Sequence, residues 1–194
     1  MQSEMEEAIW TAHTLFDRQL VTGSSANISF RQGDTVYISR SGAIFGRLGA
    51  PDFVRADMNG SWAEGQRPSK EFPLHLSLYR SQPQTRAVIH THSFYTTLWS
   101  CLPDLDSGEL FPCYTPYLNM QFQDIKVVPY HKPGSQELFQ AFGQAADNRA
   151  DGYILKNHGA VATGRTMLET FSKVEELETS ARLAWELRGS SFSF

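Results

Sequence analysis

The chain has 194 residues, of which 41% are hydrophobic and 12% aromatic, enough for one domain with a substantial core. Its formal net charge is −4, from 17 lysines and arginines against 21 aspartates and glutamates, and no block of like charge stands out. These features argue against nucleic-acid and membrane partners. A locally positive pocket on such a protein can still bind a small anion.

Hydrophobic spacing and turn residues predict an alternation of helices and short strands. In chain order they are helix 3–20, strands 27–31, 36–39, 53–57 and 61–62, helix 71–80, strand 87–92, helix 95–101, strand 126–130, helix 136–146, strands 152–157 and 161–163, and helix 165–188. Residues 103–118 are the least regular stretch. This order indicates a single α/β layer fold.

No apolar run approaches the roughly 18 residues of a membrane-spanning helix. The first seven residues are polar and acidic, unlike a signal peptide. We therefore expect a cytoplasmic protein in which Cys101 and Cys113 are reduced. A thiol nucleophile is the alternative interpretation, but neither cysteine lies in a motif that activates a thiol.

A predicted strand that ends in His-x-His carries the strongest chemical signal. Side chains at i and i+2 of a strand lie on one face, so His90 and His92 project side by side, as two ligands of one ion must. The apolar run 87–89 indicates that the pair emerges from a buried strand, where neutral imidazoles need partners. A His-x-His pair by itself also occurs without a metal.

Two further residues could complete a metal site. His158 follows the apolar run 153–155 and precedes a glycine, which fits a sharp turn at a strand end. Glu71 begins a predicted helix, and three histidines with one carboxylate are typical of zinc. His75 is a rival ligand, because residues at i and i+4 share a helix face, and spacing does not exclude it.

Three segments of small polar residues are candidate phosphate sites. Residues 23–27 join a helix to a strand and offer backbone N–H groups and hydroxyls. Ser41 and Gly42 follow a strand, and Ser69 with Lys70 lies at a helix N-terminus, where an anion is favoured. Each segment also fits an ordinary turn. The third would place an anion directly beside the candidate metal carboxylate.

Taken together, these motifs resemble the class II aldolase/adducin family over residues 5–189. The family pattern is a Gly–small–small–Gly–Asn–x–Ser loop, a Thr/Ser-Gly pair, Pro-Ser-x-Glu, His-x-His and Asn-His-Gly, matched here at 23–29, 41–42, 68–71, 90–92 and 157–159. The resemblance implies one domain over residues 1–194, an α/β three-layer fold whose central, mainly antiparallel sheet is flanked by helices. One departure is Ala26, where the family's aldolases usually have glycine.

The resemblance also implies the site and the assembly. It implies one Zn²⁺ per subunit and makes His75 a helix-packing residue. The implied ligands are Glu71, His90, His92 and His158. The implied phosphate contacts are Ser24, Asn27, Ser41, Gly42 and Ser69. It further implies a homotetramer with active sites at subunit interfaces, in which Tyr117 would reach the zinc of a neighbouring subunit.

Within the family, residues 67–71, 114–117 and 128–134 look most like those of the 3-oxo-tetronate 4-phosphate decarboxylases. Lys70 is the informative position, because the sugar-phosphate aldolases tend to have a small residue there. A substrate with both phosphate and carboxylate would favour this extra cation, so Lys70 is added to the predicted phosphate-binding residues. A lysine near a helix start is also an ordinary solvated side chain.

The predicted chemistry follows from what such a site stabilises. Aldol cleavage and β-keto-acid decarboxylation both leave an electron pair on carbon beside a carbonyl, where zinc would stabilise an enediolate. We predict zinc-dependent decarboxylation of a 3-oxo-tetronate 4-phosphate to dihydroxyacetone phosphate and carbon dioxide, with Glu71 returning the proton.

Three other functions remain open from the sequence. A fuculose- or rhamnulose-phosphate type of aldolase would need a proton donor for the departing alkoxide, which would map near Tyr117. A sugar-phosphate 4-epimerase is a second alternative, since residues 90–93 also look like that subgroup. A non-enzymatic, adducin-like role is disfavoured, because that branch lacks the metal histidines.

Overall fold

A seven-stranded sheet with helices on both faces organises the computed structural model, which describes residues 2–105, 110 and 112–189. The strands are β1 (Asn27–Gln32), β2 (Thr35–Ser39), β3 (Phe53–Asp57), β4 (Ala87–Thr91), β5 (Ile125–Val128), β6 (Gly152–Leu155) and β7 (Gly159–Gly164). The α-helices are α1 (Gln2–Asp17), α2 (Phe72–Ser81), α3 (Phe94–Ser100), α4 (Tyr117–Gln121), α5 (Gln136–Ala145) and α6 (Met167–Glu186).

The strand order in the sheet is β3-β2-β1-β4-β7-β6-β5, so β4 lies between strands from distant parts of the chain. Neighbouring strands are antiparallel except β5 and β6, which are parallel. Helices α1, α3, α4 and α6 pack together on one side, called here the α6 face, and α2 packs with α5 on the other, called the α2 face. The predicted fold class, a mainly antiparallel sheet between helices, is confirmed.

The central strand β4 is apolar because both faces of the sheet are covered. Ala87 and Ile89 pack into the core on the α6 face, whereas Val88 packs into the core on the α2 face. Alternation along the strand then places His90 on the α2 face, where it is fully buried. The end of β4 therefore delivers an imidazole to the side of the sheet on which α2 begins.

The observed elements differ from the predicted ones mainly at their ends. Glu71 precedes the first residue of α2, because the helix begins at Phe72, which is followed by a proline whose fixed φ suits a first turn. The predicted strand 61–62 is reduced to one bridge between Ala56 and Trp62. The irregular stretch 103–118 ends in the start of α4, and its residues 106–109 and 111 lie outside the described residues. Among the helices described, none is long and apolar enough to cross a membrane.

Candidate metal centre

Three imidazole rings converge where β4 ends and the turn between β6 and β7 begins. The Nε2 atoms of His90 and His92 lie 2.9 Å apart. The ring centroids of His90, His92 and His158 are separated by 4.7, 4.8 and 4.9 Å. One nitrogen from each ring can be chosen so that all lie within 4.8 Å of one another, a spacing that a single metal ion can bridge.

The carboxylate of Glu71 lies against two of these three rings. Glu71 lies immediately before α2, with Oε2 3.0 Å from Nε2 of His90 and Oε1 3.3 Å from Nε2 of His158. The side-chain amide of Asn27 donates to Glu71 Oε2 at 3.2 Å. Asn27 is the register partner of His90 across the β1–β4 ladder, so the pairing of two strands brings the amide to the carboxylate.

A tight turn carries His158 into the cluster. Asn157 has a φ of +55°, the left-handed conformation that asparagine tolerates better than most residues. Its backbone N–H donates to the Ser100 carbonyl oxygen at 3.0 Å, which ties the turn to the end of α3. Gly159 follows, and a Cβ at this position would lie 2.4 Å from the Thr91 carbonyl oxygen and 2.8 Å from Cδ2 of His92. Glycine therefore lets β7 approach the histidine pair.

The buried carboxyl of Glu71 is ionised, and positive charge beside it stabilises that state. Burial would raise the pKa of the Glu71 carboxyl, but the charges and hydrogen bonds of the neighbouring histidines hold it well below its usual range. Burial and the charge of His90 lower the pKa of His92 to about 3 and that of His158 to about 4, so both rings stay neutral. Burial also opposes protonation of His90, yet the Glu71 carboxylate raises the pKa of His90 overall.

The lone pairs of the ring nitrogens and of the Glu71 carboxylate are better satisfied by a metal ion than by hydrogen bonds among these groups. Nδ1 of His90 lies 2.8 Å from the Ala160 carbonyl oxygen, so a neutral His90 donates from Nδ1 and carries its lone pair on Nε2, facing His92. Among the described residues, Glu71 Oε1 and His158 Nδ1 are buried without a hydrogen-bond partner. A cation among the rings and the carboxylate would satisfy Glu71 Oε1, whereas His158 faces Glu71 through Nε2 and not through Nδ1. Imidazole nitrogens with one carboxylate oxygen are a set that zinc favours.

A cavity of about 460 Å³ adjoins the cluster and joins it to the predicted phosphate segments. Glu71, His92 and His158 line the cavity at the histidine cluster, whereas His90 is fully buried and does not line it. All six residues predicted to bind phosphate also line it: Ser24, Asn27, Ser41, Gly42, Ser69 and Lys70. Segments that are distant in the sequence therefore line the same cavity as the histidine cluster.

Two of the predicted anion-binding segments hold each other in place. The backbone N–H of Ser41 donates to the Arg67 carbonyl oxygen at 2.8 Å, and that of Ser69 donates to the Ser39 carbonyl oxygen at 3.0 Å. These two N–H groups are therefore already paired, so an anion in the cavity would have to bind the hydroxyls or other backbone N–H groups. Ala26 has no positive φ, so the departure from glycine at that position strains nothing.

Tyr117 and His75 lie apart from the histidine cluster. Tyr117 begins α4, is 57% exposed and does not line the cavity. His75 is fully buried within α2, and both of its ring nitrogens have other partners, Nδ1 with Ser29 Oγ at 2.7 Å and Nε2 with Asn27 Oδ1 at 2.5 Å. The geometry therefore selects Glu71 over His75 as the fourth group of the cluster.

Arg40 is a cavity residue that the sequence reasoning missed. It lines the cavity beside Ser41, and its Nε donates to Asp52 Oδ1 at 2.6 Å. The hydrogen bond from Arg40 lowers the pKa of Asp52, so the pair stays charged. The position of this arginine directly before the Ser-Gly pair at residues 41–42 was the sequence signal that could have identified it. Pro133 and Gly134 complete the lining next to Lys70.

This fold and site are those of a known family. The family described as Class II Aldolase and Adducin N-terminal domain matches residues 6–185. The chain belongs to the class II aldolase and adducin family, as its five motifs indicated. It is a lyase, like the decarboxylases and aldolases of the family to which it is similar.

Three relatives illustrate that similarity. The 3-oxo-tetronate 4-phosphate decarboxylase of Escherichia coli strain K12 is 37% identical over 188 residues, which cover 96% of this chain and 88% of the relative. The L-fuculose phosphate aldolase of Methanococcus maripaludis strain C7 is 36% identical over 171 residues, covering 88% and 90%. The crystal structure of YgbL from Escherichia coli, a candidate aldolase, epimerase or decarboxylase, superposes with a TM-score of 0.93 at 33% identity, covering 99% and 93%.

Proposed function

We propose that the protein decarboxylates a 3-oxo-tetronate 4-phosphate to dihydroxyacetone phosphate and carbon dioxide. The observation that carries the proposal is that Lys70 lines the cavity beside the phosphate segments, in addition to Arg40, whose charge is paired with Asp52. A substrate with a carboxylate as well as a phosphate would use Lys70 as an extra cation, whereas a ketose phosphate presents one anionic group. The decarboxylases that the chain resembles at 33–37% identity support the same substrate class.

We propose that Glu71, His90, His92 and His158 hold one Zn²⁺ per chain. When bound, zinc supplies a Lewis acid that stabilises negative charge developing on the substrate's carbonyl oxygen. The hydrogen bond from His90 to the Ala160 carbonyl oxygen orients that ring, and the Asn27 amide orients Glu71. The convergence of these donors at the end of the cavity supports the assignment.

Loss of carbon dioxide leaves the electron pair of the broken bond on the substrate's C2, as an enediolate shared with the C3 oxygen. One proton must then be added at C2 to give dihydroxyacetone phosphate. Glu71 is unprotonated while it contacts His90 and His158, since both lower its pKa. Separated from those rings it would lose the main effects that lower its pKa, whereas burial raises the pKa of a carboxyl. A displaced Glu71 could therefore pick up a proton and deliver it to carbon.

The phosphate would lie among Ser24, Asn27, Ser41, Gly42 and Ser69, and Asn27 is the member of this set that also contacts Glu71. Lys70 lines the cavity and lies between Ser69 and Glu71 in the sequence, so we assign its ammonium to one of the two substrate anions. An ion pair with the departing carboxylate must not be too tight, because decarboxylation removes negative charge from that group. We therefore expect Lys70 to orient the substrate more than to accelerate the reaction.

The test supplies purified, zinc-loaded protein with phosphorylated 3-oxo acids and with ketose phosphates, and measures carbon dioxide and aldehyde separately. The proposal expects carbon dioxide from the acids in an amount equal to the dihydroxyacetone phosphate formed, and its loss after chelation of the metal. Aldehyde from a ketose phosphate, with no carbon dioxide from any acid, would refute it.

An aldolase of the fuculose- or rhamnulose-phosphate type is the second candidate. The exposed position of Tyr117 favours it, because a tyrosine outside its own cavity could serve as proton donor in a neighbouring subunit. The similarity to L-fuculose phosphate aldolases supports the same alternative. A sugar-phosphate 4-epimerase would pass through the same enediolate and would release neither carbon dioxide nor aldehyde as final product.

We further propose a cytoplasmic homotetramer. An apolar groove of about 650 Å³ adjoins the active-site cavity and shares Ser41, Ser69 and Lys70 with it. Trp62 lines this groove and is 46% exposed. Apolar surface of this kind supports subunit contacts close to the active site. Light scattering on the active enzyme checks the subunit number, and an active monomer would contradict the assembly.

A further inference from the structure

A continuous chain of hydrogen bonds runs from the core of the protein to Glu71, beside the three clustered histidines. Tyr79 Oη lies 2.7 Å from Ser29 Oγ, which lies 2.7 Å from His75 Nδ1. His75 Nε2 lies 2.5 Å from Asn27 Oδ1, and Asn27 Nδ2 lies 3.2 Å from Glu71 Oε2. The five side chains come from β1, from α2 and from the residue before α2, and all five residues are buried.

The chemistry of each group fixes the direction of every bond. A carboxylate accepts, so Asn27 donates its amide N–H to Glu71 and turns its carbonyl oxygen to His75. That oxygen also only accepts, so His75 carries its proton on Nε2. The Nδ1 of the neutral ring then accepts from the Ser29 hydroxyl, which accepts in turn from Tyr79. Burial lowers the pKa of His75 to about 3, in keeping with a neutral ring.

We propose that His75 is a positioning residue that holds the Asn27 amide in one of its two orientations, with the NH2 group toward Glu71 and the cavity. The two orientations of an amide have nearly the same shape, and only hydrogen-bond partners distinguish them. In the reverse orientation the Asn27 oxygen would face the Glu71 carboxylate, and the NH2 group would face a nitrogen that carries hydrogen. Glu71 and His75 therefore both oppose that orientation.

The orientation matters for the substrate as well as for Glu71. An NH2 group has two hydrogens, and Glu71 takes one of them. Because Asn27 lines the cavity, the second remains for the anion that the proposed function places there. The inference rests on that function only in this step. Without His75, the Glu71 carboxylate alone opposes the reverse orientation, so the amide would present its oxygen to the anion more often and phosphate would bind more weakly.

The tautomer of His75 can be observed directly in the wild-type protein. Long-range proton–nitrogen correlation spectra of protein labelled with ¹⁵N-histidine distinguish a ring protonated on Nε2 from one protonated on Nδ1. The His75→Gln variant assigns the His75 signal by its disappearance. The proposal expects the Nε2–H form between neutral and mildly acidic pH. The Nδ1–H form, or a mixture of the two, would overturn it.

Binding of inorganic phosphate to zinc-loaded protein tests the consequence, measured by calorimetry on variants of equal zinc content. His75→Leu removes the donor and should weaken phosphate binding by roughly tenfold or more, the usual effect of losing a hydrogen bond that serves a charged group. His75→Gln keeps a donor near the position of Nε2 and should restore binding to within about threefold. Tyr79→Phe is the matched control, since it alters the same buried chain but leaves the Ser29–His75 bond, and it should change binding less than about twofold.

The outcomes separate this proposal from the proposed function. Unchanged phosphate binding in His75→Leu, or equal losses in His75→Leu and Tyr79→Phe, would overturn the positioning role, the second because it indicates a general disturbance of the core. If wild-type protein produces no carbon dioxide from any 3-oxo acid, the decarboxylase proposal fails. The tautomer and the phosphate measurements then still decide whether His75 orients Asn27.

Discussion

Replacing Gly159 with alanine should disturb the metal cluster through a single added methyl group. The new Cβ would meet the Thr91 carbonyl oxygen at 2.4 Å and Cδ2 of His92 at 2.8 Å. Gly159 has no positive φ, so the effect comes from lack of space and not from backbone strain. Thr91 is held in the β4–β7 ladder, opposite Ala160, so the two strands or the His92 ring must move.

The shift that the added methyl group demands is larger than the variation in metal–ligand distance that a metal site tolerates. The 2.4 Å separation is short of an ordinary carbon–oxygen contact by about 0.9 Å. Metal–ligand distances are normally kept within about 0.2 Å. We therefore expect the zinc affinity of Gly159→Ala to fall by about 10- to 100-fold, as when outer contacts of a ligand are lost. Overpacking should also cost about 1–3 kcal/mol of folding stability, which corresponds to a fall in Tm of about 2 to 12 °C for a chain of this size.

The assay is competition for zinc with a chelator of known affinity, together with thermal unfolding in the presence of excess chelator. Gly143→Ala is the matched control, because Gly143 lies within α5 and its nearest neighbour to a new Cβ is Ser77 Oγ at 3.8 Å. That variant should bind zinc normally and gain roughly 0.5–1 kcal/mol from removal of a helical glycine. Wild-type zinc affinity in Gly159→Ala would refute the reasoning, even if its Tm fell, because β4 would then have absorbed the clash without moving His92.

Three further predictions concern the metal, the substrate anions and the proton donor. His90→Ala and His92→Ala should each lower zinc affinity by more than roughly 100-fold, the upper end for changes around a ligand, and elemental analysis showing full zinc in both would contradict the ligand assignment. Lys70→Ala should raise KM for the oxo-acid phosphate by roughly tenfold with a smaller fall in kcat; equal losses on a ketose phosphate would assign the lysine to the phosphate instead. Tyr117→Phe should change decarboxylation by less than about twofold, whereas an aldolase that used this tyrosine as its acid would slow by at least about 100-fold.

The sequence alone established the parts of the site that depend on local geometry. The period of two along a strand put His90 and His92 on one face, and their rings are indeed in contact. The glycine after His158 indicated a tight turn, which the structure has at Asn157 and Gly159. These inferences hold because a strand's alternation and a turn's φ are set by neighbouring residues and survive any arrangement of the rest of the chain.

The family motifs distinguished between two candidate metal ligands that residue spacing alone could not distinguish. Spacing left His75 as a rival to Glu71, since residues at i and i+4 of the predicted helix would share one face. The Pro-Ser-x-Glu motif selected Glu71, and the structure brings Glu71 to His90 and His158. The physical reason is visible only in three dimensions. Glu71 precedes the first residue of α2 and is free to turn to the cluster, whereas His75 is inside the helix and is directed at Asn27.

Tertiary structure alone decided which distant segments share the cavity. The placement of β4 between β1 and β7 sets Asn27 opposite His90 and brings Gly159 against His92. The order of strands in a sheet depends on long-range packing on both faces, and residues far apart in the sequence carry no local sign of it. For the same reason, the roles of Arg40 beside Ser41 and of His75 behind Asn27 could not be predicted from the sequence. Their roles arise from contacts between segments that only the folded chain brings together.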